Sequence, residues 1–548
     1  MSSLSVSASG AAADAIEQHV PDLVRDAVAS RLFAQDAGLW GPEAEPEAGE
    51  RLSWVGLARS SRPLVGEIAA LRDALAQQGL DHVVLCGMGG SSLAPEVICA
   101  TAGRPLVVLD SSDPDYVRRA ISDDLEHTVV VVSSKSGSTV ETDSQRRAYE
   151  QAFTDAGIDP AERIVVVTDP GSPLDQEARA KGYRVVNADP DVGGRYSALT
   201  AFGLVPSGLA GVDVAALLDE AESVADLLAA DDDANPALRL GAAMGGTTPL
   251  RDKLVLVEDG SGIHGFADWA EQLIAESTGK DGTGVLPVVV ESDDAPELAW
   301  AAPDVLVARL VATDDDTRPE GDAVRIGGTL GAQLLLWEAA TAVAGRLLGI
   351  NPFDQPDVES AKQAARGLLE QGAREASPAA YVDGAVEVRS LGGDWLPTGS
   401  GSSAPAARTV SDAVEALLGQ VGERGYVAVM AYLDRLGDAE LADCRSALAA
   451  RTQRPTTFGW GPRFLHSTGQ FHKGGPAVGV YVQITSAPRE DLAVPGRDFT
   501  FGQFIAAQAG GDAQVLADHG RPVLQLHLTD HDAGLAQVLA ALRSGDHG

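Results

Sequence analysis

The chain has 548 residues, 45% of them hydrophobic, with a formal net charge of −38 and a pI near 4.5. Its length and apolar content support a sizeable core shared among two or more domains. The negative charge repels nucleic acid and anionic membranes, so a small anionic ligand depends on a focused cationic pocket. Cys86, Cys99 and Cys444 have no CxxC spacing, which argues against a disulfide framework or thiolate metal site and fits a cytoplasmic setting. No uninterrupted apolar run reaches membrane-spanning length.

Residues 1–60 read as a mostly helical N-terminal extension, with the Ser/Ala/Gly-rich first 13 residues frayed. Short, Val-rich runs at 81–86, 105–110, 128–133, 163–168 and 183–188 then alternate with helical stretches such as 143–153. That alternation predicts an α/β fold, an αβα sandwich on a doubly wound parallel sheet, over 61–230. The acidic run at 230–236 reads as a hinge. A second βα series follows, with strands at 253–258, 285–290 and 304–311 and helices at 265–277 and about 331–348. The Gly/Ser/Pro stretch 395–405 reads as a linker or long loop, and strand signals return at 426–430, 479–484 and 522–528. The expected second αβα domain therefore covers 237–548, with a long insertion or C-terminal extension.

Ligands of doubly wound sheets gather at the carboxyl ends of the strands, and six segments of the chain carry polar chemistry, two of them directly after a strand. SSKSGSTVET at 133–142 crowds hydroxyls and one ammonium onto a strand-to-helix turn. Ser138 and Glu141 fit a capping box, and a helix N-terminus suits an anion. GMGGSS at 87–92 allows close backbone approach, but lacks the third glycine of a dinucleotide fingerprint and the Lys-Ser/Thr ending of a P-loop. VGGRYS at 192–197 can aim Arg195 into a cleft. In EQLIAESTGK at 271–280, Gln272 and Glu276 share one helix face. Glu276 sits near the helix end, where the dipole disfavours a carboxylate and favours a proton-transferring base. NPFDQPDVESAK at 351–362 spaces Gln355 and Lys362 two helical turns apart. HSTGQFHKGGP at 466–476 holds two of the ten histidines. Of only six lysines, Lys135, Lys280, Lys362 and Lys473 lie in these segments, as expected where a compact, protonatable charge is needed.

As a set, these segments resemble the glucose-6-phosphate isomerase (phosphoglucose isomerase) family, which has two sugar-isomerase (SIS) domains, over roughly residues 80–485. The pattern is most similar to the form that some bacteria carry fused behind a transaldolase. The resemblance implies reversible conversion of glucose 6-phosphate to fructose 6-phosphate through a cis-enediolate, a glycolytic and gluconeogenic step, with no cofactor and no metal. It implies that Ser134, Lys135, Ser136 and Thr139 hold the sugar phosphate and that Ser91 contacts substrate. Gln272 and Gln355 would line the pocket, Arg195 would face the developing enediolate, Glu276 would be the base, and Lys362 would sit near the ring oxygen. It also implies a homodimer in which a ring-opening histidine reaches the partner's site; His472 is expected there, with His466 and His264 as rivals. Gly137 stands where the common family form has an aromatic residue, which leaves open another phosphosugar such as mannose 6-phosphate. A non-catalytic sugar-phosphate sensor is the reading from a different class.

Overall fold

The computed structural model describes residues 4–300, 302–315, 317–356, 367, 369, 378–398 and 406–544. They fall into two compact units. One comprises the described residues within 1–110, 120–293 and 303–355; the other comprises those within 111–119, 294–302 and 356–548.

The first unit holds two five-stranded sheets. The chain opens with β1 (Leu4–Ser9), which pairs antiparallel with a later strand, Ala323–Gly328, from Leu4↔Gly328 to Ser9↔Ala323. The segment expected to fray is thus an edge strand. Its alternation explains why: Leu4, Val6 and Ala8 pack on the core while serines occupy the intervening positions.

The first sheet contains β2 (His82–Gly87), β3 (Val107–Leu109), β4 (Thr128–Ser133), β5 (Ile164–Thr168) and β6 (Arg184–Asn187), all parallel in the order β3-β2-β4-β5-β6. Burial on both faces favours a continuous β-branched run, and the TVVVVS of β4 is buried throughout. The chain steps outward from β2 to β3, then returns across β2 to β4. This reversal opens a crevice at the carboxyl ends of β2 and β4, where Gly87 and Ser133 are register partners.

The second sheet contains β7 (Lys253–Asp259), β8 (Leu286–Val289), β9 (Val305–Val311) and β10 (Ala323–Gly328), in the order β1-β10-β9-β7-β8. The helix Leu330–Leu348 is buried over most of its length. It packs closely on the helix Pro236–Gly245: a Cβ on Gly241 would lie 2.6 Å from Val343. The expected hinge at 230–236 is instead a firm corner within this unit. Asn235 donates to the Leu228 and Ala230 carbonyls and accepts from the Ala237 and Leu238 N–H groups, capping the next helix.

The second unit has its own core and a six-stranded sheet. Its strands are β11 (Tyr381–Asp383), β12 (Val386–Leu391), β13 (Tyr426–Tyr432), β14 (Thr456–Trp460), β15 (Gly479–Ser486) and β16 (Val523–Leu528), in the order β11-β12-β16-β15-β13-β14. The domain expected over 237–548 is therefore divided. Residues 237–355 complete the first unit, and the supposed extension builds a third sheet.

Candidate active site

Two glycine turns that follow β2 and β6 of the first sheet meet. The turn after β2 and the one holding Arg195 touch backbone to backbone: a Cβ on Gly90 would stand 2.0 Å from the Gly194 carbonyl oxygen, so only glycine fits. Ser197 Oγ bridges them, at 3.2 Å from Gly90 O and 2.6 Å from Gly194 O. Ser91 lies half-buried at the end of the first turn.

The Arg195 guanidinium is held in the interior by four hydrogen bonds. Nε donates to Ser277 Oγ (2.8 Å), Nη1 to Gln355 Oε1 (2.6 Å), and Nη2 to the carbonyls of Pro352 (2.7 Å) and Asp354 (3.0 Å). One Nη1–H remains among the described residues, and Nη1 stands 3.8 Å from Glu276 Oε2. Behind Arg195, the Tyr196 hydroxyl lies 3.2 Å from Ser277 Oγ, and its ring packs between Trp54 and Phe353.

Glu276 sits two residues before the end of the helix Phe266–Thr278 and is 4% exposed. Gln272, one turn earlier, donates from Nε2 to Glu276 Oε2 at 3.3 Å, while its Oε1 is buried without a hydrogen-bond partner among the described residues. A substrate hydroxyl would satisfy that acceptor. Next to the helix, Lys280 Nζ donates to Asn351 O (2.7 Å) and to Asp354 O and Oδ1 (2.6 Å each). The structure thus gathers Arg195, Gln272, Glu276 and Gln355 around one buried carboxylate and one buried guanidinium.

The serine loop follows β4 and leads into the helix Val140–Asp155. The expected capping box is absent: Thr139, not Ser138, is the N-cap and makes no side-chain cap bond. The Thr139 hydroxyl lies 3.3 Å from Ser134 Oγ instead, and Ser136 Oγ lies 2.7 Å from Ser138 Oγ. An uncapped N-terminus next to paired hydroxyls retains donors for an anion. Lys135 is partly committed, donating to Asp169 Oδ2 (2.7 Å) and Pro190 O (2.8 Å). Gly137 has φ +71°, and a Cβ there would stand 2.5 Å from Leu174 Cβ. Gly137→Ala is therefore expected to destabilise the protein by about 1–3 kcal/mol, the range for left-handed strain and overpacking. Thermal unfolding checks this; an unchanged unfolding temperature would mean that the loop accommodates the side chain without strain.

Lys362 lies outside the described residues. His264 is exposed in the first unit, and His466 is partly buried in the second. His472 does not sit on a projecting glycine loop. It lies on the short helix Gly469–Gly474, 2% exposed, with its ring against Tyr426, Phe464 and Tyr481. Burial, with the Lys473 and Arg521 charges, holds its pKa well below the usual histidine range. Phe464 and Tyr481 flank this ring from nearby in the sequence, and Tyr426 reaches it from β13.

The sequence reading missed Ser277, Tyr196 and Asp169 as partners of site residues, and it did not assign Lys280 to the site. Ser277 and Lys280 lie in the same motif as Glu276, so their proximity was legible. Their bonds to Arg195 and to the turn at 351–354 join distant parts of the chain and were not.

Fold and site together define the class: an α/β protein with two doubly wound sheets in its first unit and a serine-rich strand-to-helix turn at the carboxyl end of β4. The phosphoglucose isomerase family matches residues 69–281. A probable glucose-6-phosphate isomerase of Natronomonas pharaonis is 31% identical over 372 residues, spanning 58% of this chain and 86% of that one. A hypothetical protein of Thermus thermophilus has a similar structure at TM-score 0.55 and 26% identity, covering 65% of this chain and 97% of that chain. A glucose-6-phosphate isomerase from Chlamydia trachomatis shares the fold at TM-score 0.50 and 23% identity, covering 58% and 74% respectively. The chain belongs to the phosphoglucose isomerase family. Its third sheet lies beyond the residues that the family matches.

Proposed function

We propose that this protein interconverts glucose 6-phosphate and fructose 6-phosphate, with Glu276 as the base that moves a proton between C2 and C1. The observation that carries this reading is the Glu276 carboxylate, enclosed between the Gln272 amide and the Arg195 guanidinium in a member of this family. C1 and C2 are adjacent, so one carboxylate can serve both. The negative charge of a cis-enediolate would develop beside a guanidinium already fixed by four bonds, which reduces reorganisation during the reaction.

The serine-loop hydroxyls of Ser134, Ser136 and Thr139, the remaining Lys135 donor and the helix N-terminus would hold the phosphate, with Ser91 nearby. Binding at that remote end orients the reacting carbons. The free Gln272 Oε1 accepts from a sugar hydroxyl, and Gln355 lines the other side. Lys362 is assigned to the ring oxygen. Ring opening is assigned to a histidine from the partner subunit of a cytoplasmic homodimer. His264 and His466 have the more accessible rings, and the enclosure of His472 weighs against it.

A coupled assay with glucose 6-phosphate, fructose 6-phosphate and mannose 6-phosphate tests the reading. Turnover of the first two is expected to dominate; a faster mannose 6-phosphate reaction would reassign the substrate, and no turnover would refute the isomerase reading. Mannose 6-phosphate is the second reading because Gly137 replaces the aromatic residue of the common family form. Activity is expected to survive exhaustive chelation, since proton transfer and a fixed positive charge suffice; loss with recovery on adding zinc or manganese would overturn the scheme.

A further inference from the structure

Residues 351–355 form the turn that presents Gln355 to the site, and two cations grip it. Arg195 Nη2 holds the Pro352 and Asp354 carbonyls. Lys280 Nζ holds Asn351 O at 2.7 Å, Asp354 O at 2.6 Å and Asp354 Oδ1 at 2.6 Å. An ammonium has three N–H donors, so Lys280 spends all of them on this turn. Asp354 O is shared by both cations.

Lys280 is 2% exposed and lies two residues beyond the helix that carries Glu276. Its backbone is anchored: Lys280 N donates to Thr278 O, Thr283 N donates to Lys280 O, and Thr278 Oγ1 accepts from Val285 N. The stretch that carries the base therefore also carries the hook that holds the opposite wall. The other side of the turn is apolar, with Phe353 between Trp40 and Tyr196. That packing persists without Lys280, so removing the lysine should loosen the turn without dismantling it.

We propose that Lys280 is a positioning residue for the isomerisation: its triply bonded ammonium locks the 351–355 turn and so sets Gln355 against Arg195 and the guanidinium against Glu276. This rests on the reading of Glu276 as the base. The clamp also has a pH limit. Burial, followed by the Arg195 charge, pushes the Lys280 ammonium down to about 8, while Asp354 and Glu276 oppose that shift. Below that pH all three donors are present. Above it the neutral amine has only two, one of the three bonds is lost, and turnover declines.

The test compares wild type, Lys280→Met and Lys280→Arg, measuring kcat and KM for fructose 6-phosphate on both sides of pH 8 and hydrogen exchange across 350–355. Lys280→Met is expected to lower kcat by about 10-fold to 10²-fold, the scale of a small misplacement. KM should change less, the alkaline decline should disappear, and amides of the turn should exchange faster while the helix Val140–Asp155 is unchanged. Lys280→Arg keeps a fixed charge, so its alkaline decline should move well above that of wild type. It also provides the pH readout if Lys280→Met does not fold. Wild-type kcat and an unmoved alkaline limb in a folded variant would overturn the proposal. Lower kcat with unchanged exchange in the turn would overturn the clamp as its cause. Wild-type protein inactive on both sugar phosphates would refute the isomerase reading itself, and the positioning role with it.

Discussion

Glu276→Gln is expected to lower kcat by about 10²-fold to 10⁴-fold, the usual contribution of a general base, with much less change in affinity for fructose 6-phosphate. The substitution preserves shape and the contact with Gln272, and it leaves all four guanidinium bonds of Arg195 in place. The fold should therefore survive and the loss should be chemical. Two measurements check this: steady-state turnover, and incorporation of solvent deuterium at the carbon that loses its proton. The variant should be slow in both. Near-normal turnover, or normal deuterium incorporation, would show that another group moves the proton.

Arg195→Lys is expected to lower kcat by about 10²-fold or more, the scale for removing a preorganised electrostatic donor, and also to destabilise the fold. Arg195 holds four acceptors on Ser277, Gln355, Pro352 and Asp354. A lysine presents three donors from one point and cannot reproduce that planar fork. The buried acceptors left without partners should cost about 2–4 kcal/mol in total, at roughly 1–3 kcal/mol each after partial relaxation. Steady-state kinetics and denaturant unfolding separate the two effects. Loss of stability with normal kcat would make Arg195 a structural residue alone, and loss of kcat with normal stability would show that the fork can be replaced. The contrast with Glu276→Gln is diagnostic, because that variant should lose turnover alone.

Much of the first unit was legible because it is built from local repeats. Apolar Val-rich runs flanked by polar turns mark β2, β4, β5, β7 and β9 to within about two residues, since burial on both faces of a parallel sheet demands such runs. The strands that were missed are those where this signal fails. β10 ends in two glycines, β14 carries one, and β1 lies in a stretch dominated by Ser and Ala. β12 alternates hydrophobic with polar and charged residues, as a strand exposed on one face does. Which sheet each strand joins depends on pairing with remote partners, so local signals alone do not separate the third sheet from the second domain.

The same division runs through the site. Local sequence marks which short segments hold the candidate site residues: glycines at a tight turn, hydroxyls before a helix N-terminus, and Gln272 one turn ahead of Glu276 on one helix face. These are properties of a few neighbouring residues and their periodicity. How those side chains are used is set by the folded chain. It commits the Arg195 donors to Ser277, to the carbonyls of Pro352 and Asp354 and to the Gln355 amide, turns Lys280 into a clamp, and ties Lys135 partly to Asp169. It also encloses His472 in an aromatic cage. The physical reason is that hydrogen-bond partnership and desolvation are fixed by what the returning chain brings alongside, often from far away in sequence.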